Sequence, residues 1–142
     1  MNKTAEETKM EAGKISLSPD DFLYGIIAAL RVNGHERIVA NRRDFHHAFY
    51  GILKKLNDPE FTDAIMVDTS EIDFDPLYGL SEWLVDALGR ARRDFLVNFR
   101  DANIIEVSVG RKESEGILSM VGSEKYLLKL ADLFCRGIAV LQ

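Results

Sequence analysis

The chain has 142 residues, 46% of them apolar and 29% charged, with a formal net charge of -5. That length suits one domain able to bury a sizeable core, and the apolar share excludes a disordered chain. No apolar run reaches the roughly 18–20 residues of a membrane span, and the single cysteine, Cys135, excludes an internal disulfide framework or a Cys-rich metal site.

The opening MNKTAEETKMEAGK is charged and lacks the apolar stretch of a secretory signal. Residues 1–14 are therefore expected as a polar tail, residues 15–142 as one domain, and the location as cytoplasmic. The first strong element begins at SPDD, where Ser18 caps, Pro19 suits the first helical position, and Asp20 and Asp21 complement the helix dipole. Phe22, Leu23, Ile26, Ile27 and Leu30 follow at helical spacing, and Gly34 stops the helix. A short extended touch, Ile38-Val39, leads to Asn41, which caps a second helix running to about Leu56. Its stripe of Phe45, Ala48, Phe49, Ile52, Leu53 and Leu56 lies on one face, and Asn57 and Pro59 end it.

Ala64 to Val67 reads as a short strand and Asp68 to Pro76 as an acidic loop. Ser81 begins a third helix, in which Trp83, Leu84, Ala87, Leu88 and Ala91 recur at intervals of three and four. Phe95 to Phe99 and Ile104 to Val109 read as a hairpin joined by residues 100–103. Arg111 to Gly116 is expected as a polar loop and Ile117 to Val121 as a further strand. A last helix opens at Glu124, with Tyr126, Leu127, Leu130, Ala131, Phe134 and Cys135 inward. The expected fold class is α+β, with three to four helices, a β-hairpin and a C-terminal helix.

Charge is segregated along the chain. Residues 22–57 sum to +4, residues 58–89 hold nine acids and no Lys or Arg, and residues 90–100 sum to +3. Blocks of this kind can give a molecule one face of each sign, despite an acidic total.

Two helices, then a helix followed directly by a hairpin and a trailing helix, resemble the winged helix-turn-helix layout. The stretches that carry the resemblance are DPLYGLSEWLVDALGRARRDFLVNF and LSMVGSEKYLLKLADLF, within about residues 18–135. The resemblance implies a DNA-binding, transcription-regulating domain whose third helix enters the major groove and whose wing touches the backbone. It puts Ser81, Glu82, Val85, Asp86, Gly89, Arg90 and Arg93 on the exposed side of the third helix, with Arg100 in the wing. The chain departs from that pattern in its acidic helix start, Glu82 and Asp86, which would repel phosphate.

The second helix offers the better basic surface. At 100° per residue, Arg43, His47, Tyr50 and Lys54 share the face opposite the apolar stripe. Two permanent cations, an imidazole and a phenol ring suit phosphates and stacked bases. The same four residues would also make an ordinary solvated face. The expected nucleic-acid contacts are therefore Arg43, His47, Tyr50 and Lys54, joined by Arg90, Arg92, Arg93 and Arg100, with duplex DNA as partner.

A second reading makes the acidic 58–86 segment a surface for a basic protein or a second copy of the chain. A third is a small ribonuclease using Arg42 and His47, whose Arg-x4-His spacing resembles that of HEPN-type ribonucleases. His46 and His47 diverge by 100° and cannot share a metal. Asp68, Glu71, Asp73 and Asp75 lack the spacing and central glycine of an EF-hand, so no metal and no cofactor is expected. Phosphate-binding Gly-rich loops and hydrolase motifs are missing, which favours a non-catalytic domain.

Overall fold

The computed structural model of the protein describes residues 15–70, 72–73 and 81–141, so the expected tail, residues 1–14, lies outside the described residues. The described residues form a mixed α+β fold of six helices and five strands. In chain order they are β1 (Ile15–Leu17), α1 (Pro19–Val32), β2 (Arg37–Val39), α2 (Arg42–Lys55), α3 (Pro59–Thr62), β3 (Ile65–Val67), α4 (Glu82–Arg93), β4 (Val97–Asp101), β5 (Ile104–Val107), α5 (Arg111–Val121) and α6 (Glu124–Leu141).

The caps at Ser18, Asn41 and Ser81 form as their sequence positions predict. Each side chain accepts a hydrogen bond from the backbone N–H three residues on: Asp21, Asp44 and Leu84. Between Phe22 and Leu30 helix α1 has no solvent face apart from half-buried Tyr24. Phe22, Leu23, Ile26, Ile27, Ala28 and Ala29 are all fully buried, with α5 and α6 packed along it. Gly25 permits that approach, because a Cβ there would sit 3.0 Å from Leu127 Cδ1.

Helix α6 also lies on α2, where Phe45 and Phe134 meet edge to face at 4.8 Å. Rings tie the other side together. Phe22 of α1 contacts Phe49 of α2, and Phe49 stacks on Trp83 of α4, with centroids 5.8 and 6.0 Å apart. Trp83 is thus a half-buried part of the core margin.

The strands form two small sheets. β1 and β3 pair in parallel, Ile15 opposite Ile65. β2, β5 and β4 form an antiparallel sheet in that order, so the strand between α1 and α2 joins the hairpin that follows α4.

Three expectations are corrected. Residues 111–121 are not a loop and a strand but one helix, α5. The Glu113 carboxylate reaches back to the Gly110 N–H at 3.2 Å, and Ser114 and Leu118 are buried one turn apart. A short apolar run such as Ile117 to Val121 fits helix or strand alike, and burial decides. Phe95 does not begin a strand: it takes φ +63, 81% exposed, in the turn that ends α4, and β4 starts at Val97. The described residues hold six helices, where three to four were expected, because α5 and the single turn α3 are additional. In α3, Pro59 occupies the first turn and Phe61 is buried against Tyr126 of α6.

Two kinds of glycine should respond oppositely to alanine. Gly51 and Gly116 lie inside helices, and a methyl group added at either would meet nothing within 4 Å. Gly51→Ala and Gly116→Ala should each raise unfolding stability by about 0.5–1 kcal/mol in urea titrations. Gly122 has φ +89, and a Cβ there would lie 2.7 Å from Ile15 Cδ1. Gly122→Ala should cost about 1 kcal/mol or more in the same measurement.

Candidate functional site

The outer face of α2 forms as the helical arithmetic predicts. Arg43, Tyr50 and Lys54 are exposed and His47 is half-buried, while Phe45, Phe49, Ile52 and Leu56 point inward. The Lys54 ammonium lies 5.3 Å from the Tyr50 ring centroid, so the two side chains form one cationic and aromatic spot. Lys55 turns instead to Asp58, at 3.8 Å.

The arginines of α4 divide. Arg90 is bound by Asp20 at the start of α1, through Nε at 3.1 Å and a terminal nitrogen at 3.0 Å. This fork-like pair commits Arg90 to the fold, and it does not join the α2 face as expected. Beside it the Tyr24 hydroxyl donates to Asp94 at 2.8 Å; burial, then this carboxylate, pushes the phenol up to about 12. Arg92 and Arg93 are exposed. The side chain of Arg100 lies outside the described residues.

Arg42 leaves the α2 surface for the hairpin, with its guanidinium 4.8 Å over the Phe99 ring. His47, five residues on, faces about 140° away around the helix. The Arg42–His47 pair of the ribonuclease reading is therefore not brought to one face.

Part of the acidic segment serves the structure itself. Asp58 pairs with Lys55, and Glu60 pairs with Lys129 of α6. Asp73 accepts from the N–H groups of Trp83 at 3.1 Å and Glu82 at 3.2 Å, and from the Ser81 hydroxyl at 3.3 Å. The Trp83 N–H holds its carboxyl below the usual carboxylate range. Asp68 accepts from the Ser70 N–H at 3.0 Å, in a turn of its own. Glu71 and Asp75 lie outside the described residues. Among the described residues no three His, Cys, Asp or Glu side chains gather as metal ligands.

His46, weighed in the sequence only as a metal ligand beside His47, has a structural place that sequence reasoning did not find. It is 1% exposed, and its Nδ1 accepts from the Ser81 N–H at 2.9 Å, across from α2 to the start of α4. Nδ1 is thereby an acceptor, so the proton of the neutral ring sits on Nε2. Nε2 is buried and has no hydrogen-bond partner among the described residues. Burial, reinforced by the nearby charges of Arg42 and His47, lowers the imidazole from 6.5 to about 4. The sequence signal for it was thin: His46 lies one turn after Arg42 and one before Phe49, on the edge of the apolar stripe.

His46 lines a cavity of about 210 Å³ between α2, α4 and the β4–β5 hairpin, together with Arg42, Val85, Gly89, Arg92 and Phe99. A wider groove of about 580 Å³ adjoins it, sharing Arg42 and Phe99 and extending over Asn41, Arg43 and Asp101. Arg42 and Arg92, fifty residues apart and separated by the acidic block, thus border one hollow.

No protein family, curated protein or solved structure matches this chain.

The buried imidazole predicts a pH dependence of stability. His46 stays neutral in the folded chain down to about pH 4 but takes a proton near pH 6.5 when unfolded. Between those values the unfolded state binds more protons, so stability is intact above pH 6.5 and falls as the pH drops toward 4. Urea unfolding should show a loss on the order of 2–3 kcal/mol between about pH 7 and pH 4.5. In His46→Asn, whose amide oxygen can still accept from Ser81, this slope should flatten; an equal slope would remove His46 as its source.

Proposed function

We propose that the protein is a winged-helix-like domain that binds duplex DNA through backbone phosphates, using the outer face of α2. The observation that carries this reading is the meeting of the two basic blocks. Arg42 and Arg92 border one cavity and Arg43 lines the groove beside it, so the start of α2 and the C-terminal end of α4 come together there. Arg43, His47, Tyr50 and Lys54 continue along the outer face of α2, roughly a third of a turn around the helix from Arg42, and exposed Arg93 adds a further cation on α4.

The sheet supports the same reading. In the order β2–β5–β4, the hairpin after α4 is tied to the strand between α1 and α2. A wing so anchored can hold a fixed position relative to the helices beside it. The exposed Glu82 and Asp86 at the start of α4 disfavour phosphate there. The proposed contact therefore runs along α2 and the C-terminal end of α4, as backbone contact without base readout. Binding of this kind is non-catalytic and depends steeply on salt.

The test is fluorescence anisotropy of a labelled mixed-sequence duplex at about 50 and 200 mM salt. Affinity should fall steeply between the two. Arg43→Gln with Lys54→Gln should weaken binding and reduce the slope of log affinity against log salt by about 2, or 0.9 per lost phosphate contact. An unchanged slope would remove this face from the interface, and no binding at either salt would overturn the proposal.

A further inference from the structure

Two helices of this chain end in the same way and differ in one residue. At the end of α1 the N–H of Gly34 donates to the Arg31 carbonyl and that of His35 to Leu30, each at 2.9 Å, with Gly34 at φ +96. At the end of α4 the N–H of Phe95 donates to the Arg92 carbonyl at 3.0 Å and that of Leu96 to Ala91 at 2.9 Å, with Phe95 at φ +63. This pair of bonds closes a helix through one left-handed residue, a place that suits glycine because it has no Cβ to clash. A bulky side chain there works against the fold.

The Phe95 ring adds little burial to offset that strain. It is 81% exposed, while the apolar seal of the turn falls to Leu96 and Ala91, both buried. Exposure of one apolar side chain means little by itself. A phenylalanine held out in water on an unfavourable backbone conformation points to a use outside the core.

Its neighbours indicate which use. Arg92 and Arg93, both exposed, precede it by three and two residues. Between them and the ring, Asp94 reaches back to α1 and accepts from the Tyr24 hydroxyl at 2.8 Å. The two guanidinium charges outweigh the negative end of the helix dipole, which is about half an elementary charge. An aromatic knob with cations at its base is complementary to a polymer of anionic backbone and flat apolar faces, a nucleic acid. The place agrees, because Arg92 at this end of α4 borders the hollow it shares with Arg42 of α2.

We infer, building on the duplex-binding reading, that Phe95 is a wedge that packs on the face of a DNA base while Arg92 and Arg93 take the flanking phosphates. Every base has such a face, so no base edge is read. What the wedge selects is an open stack. A gap or mismatch exposes the base face beforehand, whereas an intact duplex must first be unstacked at a cost. The protein therefore prefers DNA whose stacking is already broken.

Fluorescence anisotropy tests this with a labelled duplex, intact or carrying a one-nucleotide gap, at about 50 mM salt. The gapped duplex should bind at least about fivefold more tightly, the lower end of what one base–aromatic stack contributes. Phe95→Ala should erase that preference and leave the salt slope on intact duplex unchanged. Phe95→Gly should erase it too, while raising the urea midpoint because glycine relieves the left-handed strain, so unfolding cannot account for the loss. Equal affinity of the natural protein for the two duplexes would overturn the wedge and leave the DNA reading standing. Binding to neither would overturn both. A gap preference that survives Phe95→Ala, with the variant changed instead in its sedimentation as dimer or monomer, would make the ring a contact between copies and overturn the wedge.

Discussion

The body of helix α1, from Phe22 to Leu30, cannot face water, and the rest of the fold is arranged to cover it. From Phe22 to Leu30 every residue except Tyr24 is buried, and each fully buried Leu, Ile or Phe contributes about 1.5–3 kcal/mol relative to exposure. One neighbouring helix covers only a stripe. Helices α5 and α6 lie along α1, Phe49 of α2 meets Phe22, and α4 and β5 close the remaining side. A layout of three helices and a wing would leave part of this helix wet. The two C-terminal helices answer that demand, and Gly25 lets Leu127 come close enough to seal the contact.

The covering elements that carry chemistry are held by polar bonds at the start of α4. That end is fastened from three directions: Ser81 caps Leu84, Asp73 takes the Glu82 and Trp83 N–H groups, and His46 takes the Ser81 N–H. A helix start with its N–H groups satisfied in this way has little freedom to slide. The bond from His46 links α4 to α2 directly, beside the stack of Phe49 on Trp83, so a polar and an aromatic contact together hold the two helices. Part of the acidic segment is thus engaged within the fold, Asp73 at the helix start and Glu60 on Lys129.

What could be read from the chain follows the range of the interactions. Caps at Ser18, Asn41 and Ser81 are local bonds spanning three residues, and each was legible. The outer row of α2 needed only helical periodicity. Helix α5 was not legible: Gly110 offers no capping side chain, and RKESEG has no apolar member to mark a face. Its helicity comes from Ser114 and Leu118 buried within the molecule, beside α1. Phe95 gives no local hint of its positive φ, which glycine or asparagine ordinarily supplies. The role of His46 was hidden for the same reason, because its partner Ser81 is 35 residues away.

Charge shows the limit of linear reading most clearly. In sequence the +4 block and the +3 block stand apart, divided by nine acids. In space α2 and α4 meet at His46, and their arginines then part company by partner. Arg90 is neutralised by Asp20, while Arg42 turns onto Phe99 and Arg92 stays at the rim. Net charge therefore says little about what this molecule can hold. The local balance does more: among the described residues Arg42 and Arg92 line the hollow and no carboxylate does, although the chain as a whole carries -5. What the imidazole contributes there is a fastening: its Nδ1 holds the start of α4 to α2, while its Nε2 is buried out of reach of solvent.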